Sequence, residues 1–146
     1  MGCHYQEKYT VPFYESDINF NMKLPELLSL VLQVSGNQSM ALGISNEFIY
    51  EKYQLVWIVT DYAIEIERLP KYAETITVET VPTSYNKLFC YRDFYVYDAT
   101  GAKIITIHST FVLMDYETRK VHFVIDDLVA PYQVEKIKKI YRGPKY

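Results

Sequence analysis

The chain has 146 residues, 49% hydrophobic and 23% charged, which suits one folded domain with a real core and leaves no room for a second. A formal charge of -3 excludes a general nucleic-acid binder, which needs a basic surplus, and no membrane span is expected. The longest apolar stretch, Leu24 to Val34, is broken by Pro25, Glu26 and Gln33 and is too short to cross a bilayer.

The opening MGCHYQEKYT is polar and unlike a secretory signal. Met1-Gly2-Cys3 is similar to an acylation signal, but Gln6 stands where myristoylation prefers Ser or Thr, so no lipid anchor is expected. EKYTVPFYES, from Glu7, then reads as a strand whose Pro12 places it near an edge or a bulge. KLPELLSLVLQVSGNQSMALG follows. Pro25 suits a first helical turn, Gly43 is a stop signal after Leu42, and Leu27, Leu28, Leu30, Val31, Leu32 and Val34 leave almost no polar face. Such a helix is expected to be buried on most sides.

A short connector, ISNEFIYEKYQ, leads into period-two alternation. YAIEIERL sets Tyr62, Ile64 and Ile66 against Glu65 and Glu67, and TITVETV, LFCYRDFYVYD and KIITIHSTFVLMD continue the pattern between turn-rich PKYAE, TSYNK and DATG. Connections this short predict antiparallel neighbours in a meander. A last hairpin at DYETRK leads to VHFVI, and VAPYQVEKIKKI is expected to close with a short helix. Fifteen tyrosines, each an apolar ring with a polar tip, suit half-buried sheet faces and interfaces.

The order is strand, one long apolar helix, then five strands. Long strands twist and curl, and the only element apolar enough to fill the hollow is the helix. The expected class is α+β: a hotdog fold, with a curled antiparallel sheet of five to six strands wrapped around one long central helix. Residues 1–135 form that domain, and 136–146 form a basic C-terminal tail.

The run from Leu55 to His122 resembles the N-terminal hotdog repeat of the acyl-ACP thioesterases. The likeness is carried by Trp57 before the first central strand, ERLP at Glu67 to Pro70, Glu79-Thr80, Arg92-Asp93-Phe94, Gly101, Asp115 and Thr118-Arg119. Tyr14 to Gly43 fits the same repeat's entrance loop and helix. The resemblance implies a domain that binds a fatty acyl thioester and, in the complete enzyme, hydrolyses it to free fatty acid and carrier thiol. The partner it implies is an acyl carrier protein bearing a phosphopantetheine-linked acyl chain, and no cofactor or metal. It also implies two repeats per chain, with an Asp-x-Asn-x-His catalytic loop in the second, while the first shapes the acyl pocket. The tail resembles the inter-repeat linker. A lone repeat leaves a sheet edge exposed, so a homodimer, or pairing with a second hotdog repeat, is expected.

Laid on Asp-x-Asn-x-His, the segment YESDINFN gives Asp17, Asn19 and Asn21, with Asn where His should stand. An amide can orient a water or a carbonyl but cannot exchange a proton near neutral pH. These three are the candidate catalytic residues; the other reading is that they bond nearby backbone and shape the turn into the helix. That leaves two functions open: a thioester hydrolase, or a non-catalytic acyl-thioester binding or dimerisation module.

Leu28, Leu32 and Gly36 of the helix, with Val56, Trp57 and Ile58, are candidates to line the tail slot, or else are ordinary core. Arg92 is expected either in a strand ion pair with Asp93 or Glu79 or in contact with phosphopantetheine or the carrier. Lys136, Lys138, Lys139, Arg142 and Lys145 could steer an acidic carrier protein or form a solvated end. His108 reads as a sheet-face residue and Cys90 as a small core residue. His4, His108 and His122 lack ligand spacing, and no G-x-S-x-G or phosphate loop is present. Neither a disulfide framework nor a metal knot can be built from Cys3 and Cys90, and a reducing cytoplasm is expected.

Overall fold

The computed structural model describes residues 2–137. Strand β1 spans Tyr5–Thr10, helix α1 Leu24–Ala41, helix α2 Asn46–Tyr53, strand β2 Leu55–Ile66, β3 Thr75–Tyr85, β4 Cys90–Tyr97 and β5 Lys103–Asp115. A two-residue β6 (Val121–His122), a short α3 (Asp126–Val129), a 3-10 turn at Ala130–Tyr132 and β7 (Glu135–Lys136) complete it.

Local chemistry explains most of these boundaries. Pro25 sits in the first turn of α1, where an amide hydrogen has no helical partner anyway. The helix ends as Gly43 takes a φ of 79°, which lets the Ile44 amide turn back onto the Ser39 carbonyl at 3.0 Å. Each hairpin begins with an Asn or Asp that captures the next amides. Asn86 Oδ1 accepts from Leu88 and Phe89, Asp98 Oδ1 from Thr100 and Ala102, and Asp115 Oδ1 from Glu117 and Thr118.

The sheet order is β1-β3-β4-β5-β2, antiparallel throughout, with β6 on β5 and β7 parallel to β3. Leu27, Val31 and Val34 of α1 are fully buried against Ile76, Val78, Phe94, Val96, Ile105 and Ile107. Five strands about 4.8 Å apart make a layer roughly 19 Å wide, against about 10–12 Å for a helix with its side chains. Yet this same apolar cluster has Tyr5 and Tyr9 at the β1 edge and Tyr62 and Ile64 at the β2 edge packed against it. The sheet therefore bends round the helix, the hotdog arrangement. Register shifts at Val59/Asp61, Pro82/Ser84 and Val96/Tyr97 supply bends of the kind that curl a sheet.

Several expectations are corrected. The strands are not a simple meander: β2 pairs with β5 at the far edge, so the Glu67–Glu74 connection crosses to β3 instead of forming a hairpin. Connection length alone does not separate these two paths. Trp57 lies inside β2, opposite Leu113, rather than before the strand. The connector holds α2, capped by the Ser45 hydroxyl on the Phe48 amide at 3.1 Å, with Ile49 buried. Ser45 followed by apolar residues at helical spacing, Ile49 and Tyr53, was the readable signal. β1 stops before Pro12. The closing helix falls at Asp126–Val129, and Glu135–Lys136 pair as a strand instead. Helix α1 is buried along one face only; Leu28, Leu30 and Leu32 are half-buried, and Ser29 and Gln33 are exposed.

Candidate functional site

Between the second half of α1 and the sheet lies a cavity of about 350 Å³, at the lower end of the range for ligand sites. Leu32, Ser35, Gly36 and Ser39 form its helix wall, Trp57, Ile58 and Val59 the β2 wall, and Pro82, Ser84 and Tyr85 the β3 wall. Cys90, Tyr91 and Arg92 of β4 and Phe111 of β5 line the floor, closed by Val129, Tyr132 and Val134. The indole of Trp57 stands edge-on to Phe111, ring centres 6.4 Å apart. Two of the three register shifts lie in the wall strands, at Val59/Asp61 and Pro82/Ser84, where a bulge re-aims the side chains around it. A Cβ on Gly36 would find its nearest neighbour, Asn46 Nδ2, at 3.9 Å. The glycine is therefore not demanded by crowding; it leaves room.

Alternation along β4 puts Cys90, Arg92 and Phe94 on the inner face. Arg92 is 7% exposed. Its Nη1 donates to Gln38 Oε1 at 2.7 Å and to Thr80 Oγ1 at 2.8 Å, and the guanidinium lies 4.8 Å over the Tyr132 ring. Gln38 in turn donates to the Cys3 carbonyl at 2.9 Å, and the hydroxyls of Tyr132 and Ser39 share a hydrogen bond. The expected ion pair is not formed. Asp93 faces the other way and holds His108 Nδ1 at 2.8 Å, and Glu79 accepts from Gln6 and Tyr97 and pairs with His4. Among the described residues no carboxylate pairs with Arg92. Burial lowers the guanidinium's pKa from its usual value, with Tyr132 and Cys90 opposing; an arginine nonetheless keeps its charge. The Cys90 thiol beside it is pushed up to about 12 by burial, against the pull of Arg92, which leaves it protonated and unreactive.

Of the residues expected to take the acyl tail, the structure brings Leu32, Gly36, Trp57, Ile58 and Arg92 to this cavity. Leu28 packs on the main core instead, and Val56 sits half-buried opposite Met114, outside the cavity lining. Sequence reasoning missed the polar set around Arg92, namely Gln38, Thr80, Ser39 and Tyr132. An arginine sharing its strand face with Phe94 was the available signal.

Asp17, Asn19 and Asn21 form a tight turn ahead of α1. Asp17 Oδ1 accepts the Asn19 amide at 2.8 Å and the Asn21 amide at 3.0 Å, while the Asp17 amide donates to the Asn21 carbonyl at 2.8 Å. Phe20 adopts a φ of 62°, and Asn21 bridges to Lys71. None of the three lines the cavity. At 1.5 Å per residue, the stretch from Lys23, the cap of α1, to Leu32 and Ser39 spans roughly 13 to 24 Å along the helix. Lys136 is exposed and pairs with Asp126 at 3.5 Å; Lys138, Lys139, Arg142 and Lys145 lie outside the described residues.

The model of the acyl-ACP thioesterase N-terminal domain matches residues 2–132. A crystal structure from Lactobacillus plantarum, named as an oleoyl thioesterase, superposes with a TM-score of 0.94 at 35% identity, covering 99% of this chain and 56% of that one. The chloroplastic oleoyl-acyl carrier protein thioesterase of Coriandrum sativum is 30% identical over 139 residues, 91% of this chain and 38% of its own length. An acyl-ACP thioesterase structure from Bacteroides thetaiotaomicron shares the fold, with a TM-score of 0.79 at 22% identity, covering 97% of this chain and 58% of that one. The chain thus spans between about two fifths and three fifths of these relatives. On the match across residues 2–132, it belongs to the acyl-ACP thioesterase N-terminal domain family.

Proposed function

We propose that this domain binds the acyl chain of a fatty acyl thioester carried by an acyl carrier protein, and that the complete enzyme hydrolyses it to free fatty acid and carrier thiol. The observation that carries this reading is the cavity between α1 and the sheet, walled by Leu32, Trp57 and Phe111 and kept open at Gly36. Burying a methylene there is worth about 0.8 kcal/mol, so a medium or long tail supplies most of the affinity. Hydrolysis needs a group to activate water and donors for the developing oxyanion. On the resemblance, a second repeat supplies them. The test is a medium- or long-chain acyl-ACP presented to this domain together with the family's second repeat: release of free fatty acid is expected, and no release at any chain length overturns the enzymatic reading.

A second reading, an acyl-binding or dimerisation module without chemistry of its own, is favoured by Asn21 at the family's His position and by the Asp17 carboxylate being engaged by backbone amides. Asp17→Ala discriminates. Abolished turnover by the purified chain makes Asp17 its base; a chain that binds acyl groups without ever turning over is a module.

Pairing belongs to the same proposal. Among the described residues, the outer edge of β2 lacks a strand partner along Leu55–Ile66, and Leu28, Leu30 and Leu32 on α1 are only half-covered. A second copy or a second repeat would cover either surface. Sedimentation is expected to give a dimer at micromolar concentration; a stable monomer counts against self-pairing. Lys136 and the basic residues beyond it suit an acidic carrier protein, and the two free cysteines suit a reducing cytoplasm.

A further inference from the structure

Arg92 is poorly explained by an apolar tail slot. A guanidinium taken out of water is costly unless a counter-charge or a full set of acceptors replaces its hydration. Here the acceptors are neutral, Gln38 Oε1 and Thr80 Oγ1 on one nitrogen, with an aromatic face at Tyr132. A methyl-terminated chain laid against this wall would gain nothing from the charge. Among the described residues, the other ionisable groups lining the cavity are Tyr85, Tyr91, Tyr132 and Cys90, and no carboxylate lines it. Asp93, next to Arg92 in the chain, and Glu79, on the neighbouring strand β3, are engaged by His108 and by His4, Gln6 and Tyr97. Among the described residues the cavity therefore presents one buried cation with no carboxylate paired to it, in a lining of apolar and aromatic side chains with a few neutral polar groups.

We propose that this cavity is a binding site for a free aliphatic carboxylate, its carboxylate on the Arg92 guanidinium beside Tyr132 and its chain along Leu32, Trp57 and Phe111. A carboxylate accepts charge-assisted bonds from a guanidinium and neutralises it where water cannot. Ser39, already bonded to Tyr132, and Ser84 add hydroxyls to the same enclosure. The site rests on the reading that the cavity takes an aliphatic tail, and it extends that reading. A free fatty acid held here occupies the space the thioester's acyl chain needs, so the acid is a competitive inhibitor of acyl binding.

The experiment compares two ten-carbon ligands, decanoate and 1-decanol, by calorimetric titration of the wild-type domain at neutral pH, below their aggregation limits. Decanol reports the tail slot alone; the difference between the two reports Arg92. Decanoate is expected to bind about tenfold tighter or more, the factor a charge-assisted bond supplies. Arg92→Met, which replaces the buried ion by an apolar chain of similar length, is expected to bring the two ligands to equal affinity. Arg92→Lys restores part of the preference. Equal affinity in the wild type overturns the carboxylate site and leaves the tail slot standing. Binding of neither ligand overturns both. The wild-type comparison decides the matter even where the Met variant does not fold.

Discussion

Gly36→Ala separates the two roles a glycine can have in the middle of a helix. Position 36 lies inside α1, and its φ is not among the positive values. A Cβ there meets nothing closer than Asn46 Nδ2 at 3.9 Å, an ordinary contact. The substitution therefore has no steric penalty, and it removes the excess entropy that glycine brings to the unfolded chain and the unfavourable helix propensity, about 0.5–1 kcal/mol together. For a chain of this size that is a rise in Tm of about 1–4 °C. The added methyl, however, occupies part of the 350 Å³ cavity. The longest tail that fills the cavity loses about one methylene of burial, roughly 0.8 kcal/mol or about fourfold in affinity, while tails shorter by two carbons are unaffected. Thermal unfolding followed by circular dichroism and a titration series across chain length measure the two effects. A lowered Tm, or an equal loss of affinity at every chain length, refutes the view that Gly36 is there for space.

Trp57 is the only tryptophan and lines the cavity, so its emission is expected to shift to shorter wavelength on tail binding; unchanged emission at saturating ligand places the tail elsewhere. Cys90 is expected to resist alkylation at pH 8 in the folded domain and to react on unfolding, because burial holds its thiol at about 12; mass spectrometry of the labelled peptides shows it. Glu74 accepts two bonds from Arg68, at 2.8 and 2.5 Å, and these hold its carboxyl below the usual value although burial opposes them. A depressed folded value stabilises the fold above the unfolded one and is lost as pH falls through the folded one. Glu74→Gln is therefore expected to lose about 0.5–1 kcal/mol at pH 7, kept small by Arg68's exposure to solvent, with the gap to wild type closing at acid pH in urea melts.

The amino-acid sequence by itself determined the long helix, the long strands and the fold class, while α2 and the place of the closing helix escaped it. Period-two alternation marked the long strands, Pro25 and Gly43 bracketed the long helix, and an apolar helix followed by strands that must curl led to the hotdog arrangement. These signals are local: each depends on residues within a turn or a few strand positions. Only the tertiary structure decided which strand lies at the edge, since a connection of eight residues between β2 and β3 serves a hairpin or a crossover equally well. Only it decided what Arg92 touches. Gln38, Thr80 and Tyr132 come from the helix, a neighbouring strand and the closing segment, and no periodicity links them. The cavity is likewise a product of packing, a volume left where bulged strands, a side-chain-free helix position and an edge-on indole fail to meet. Alternation tells which way a side chain points; how much space remains beyond it is set by every element that faces it.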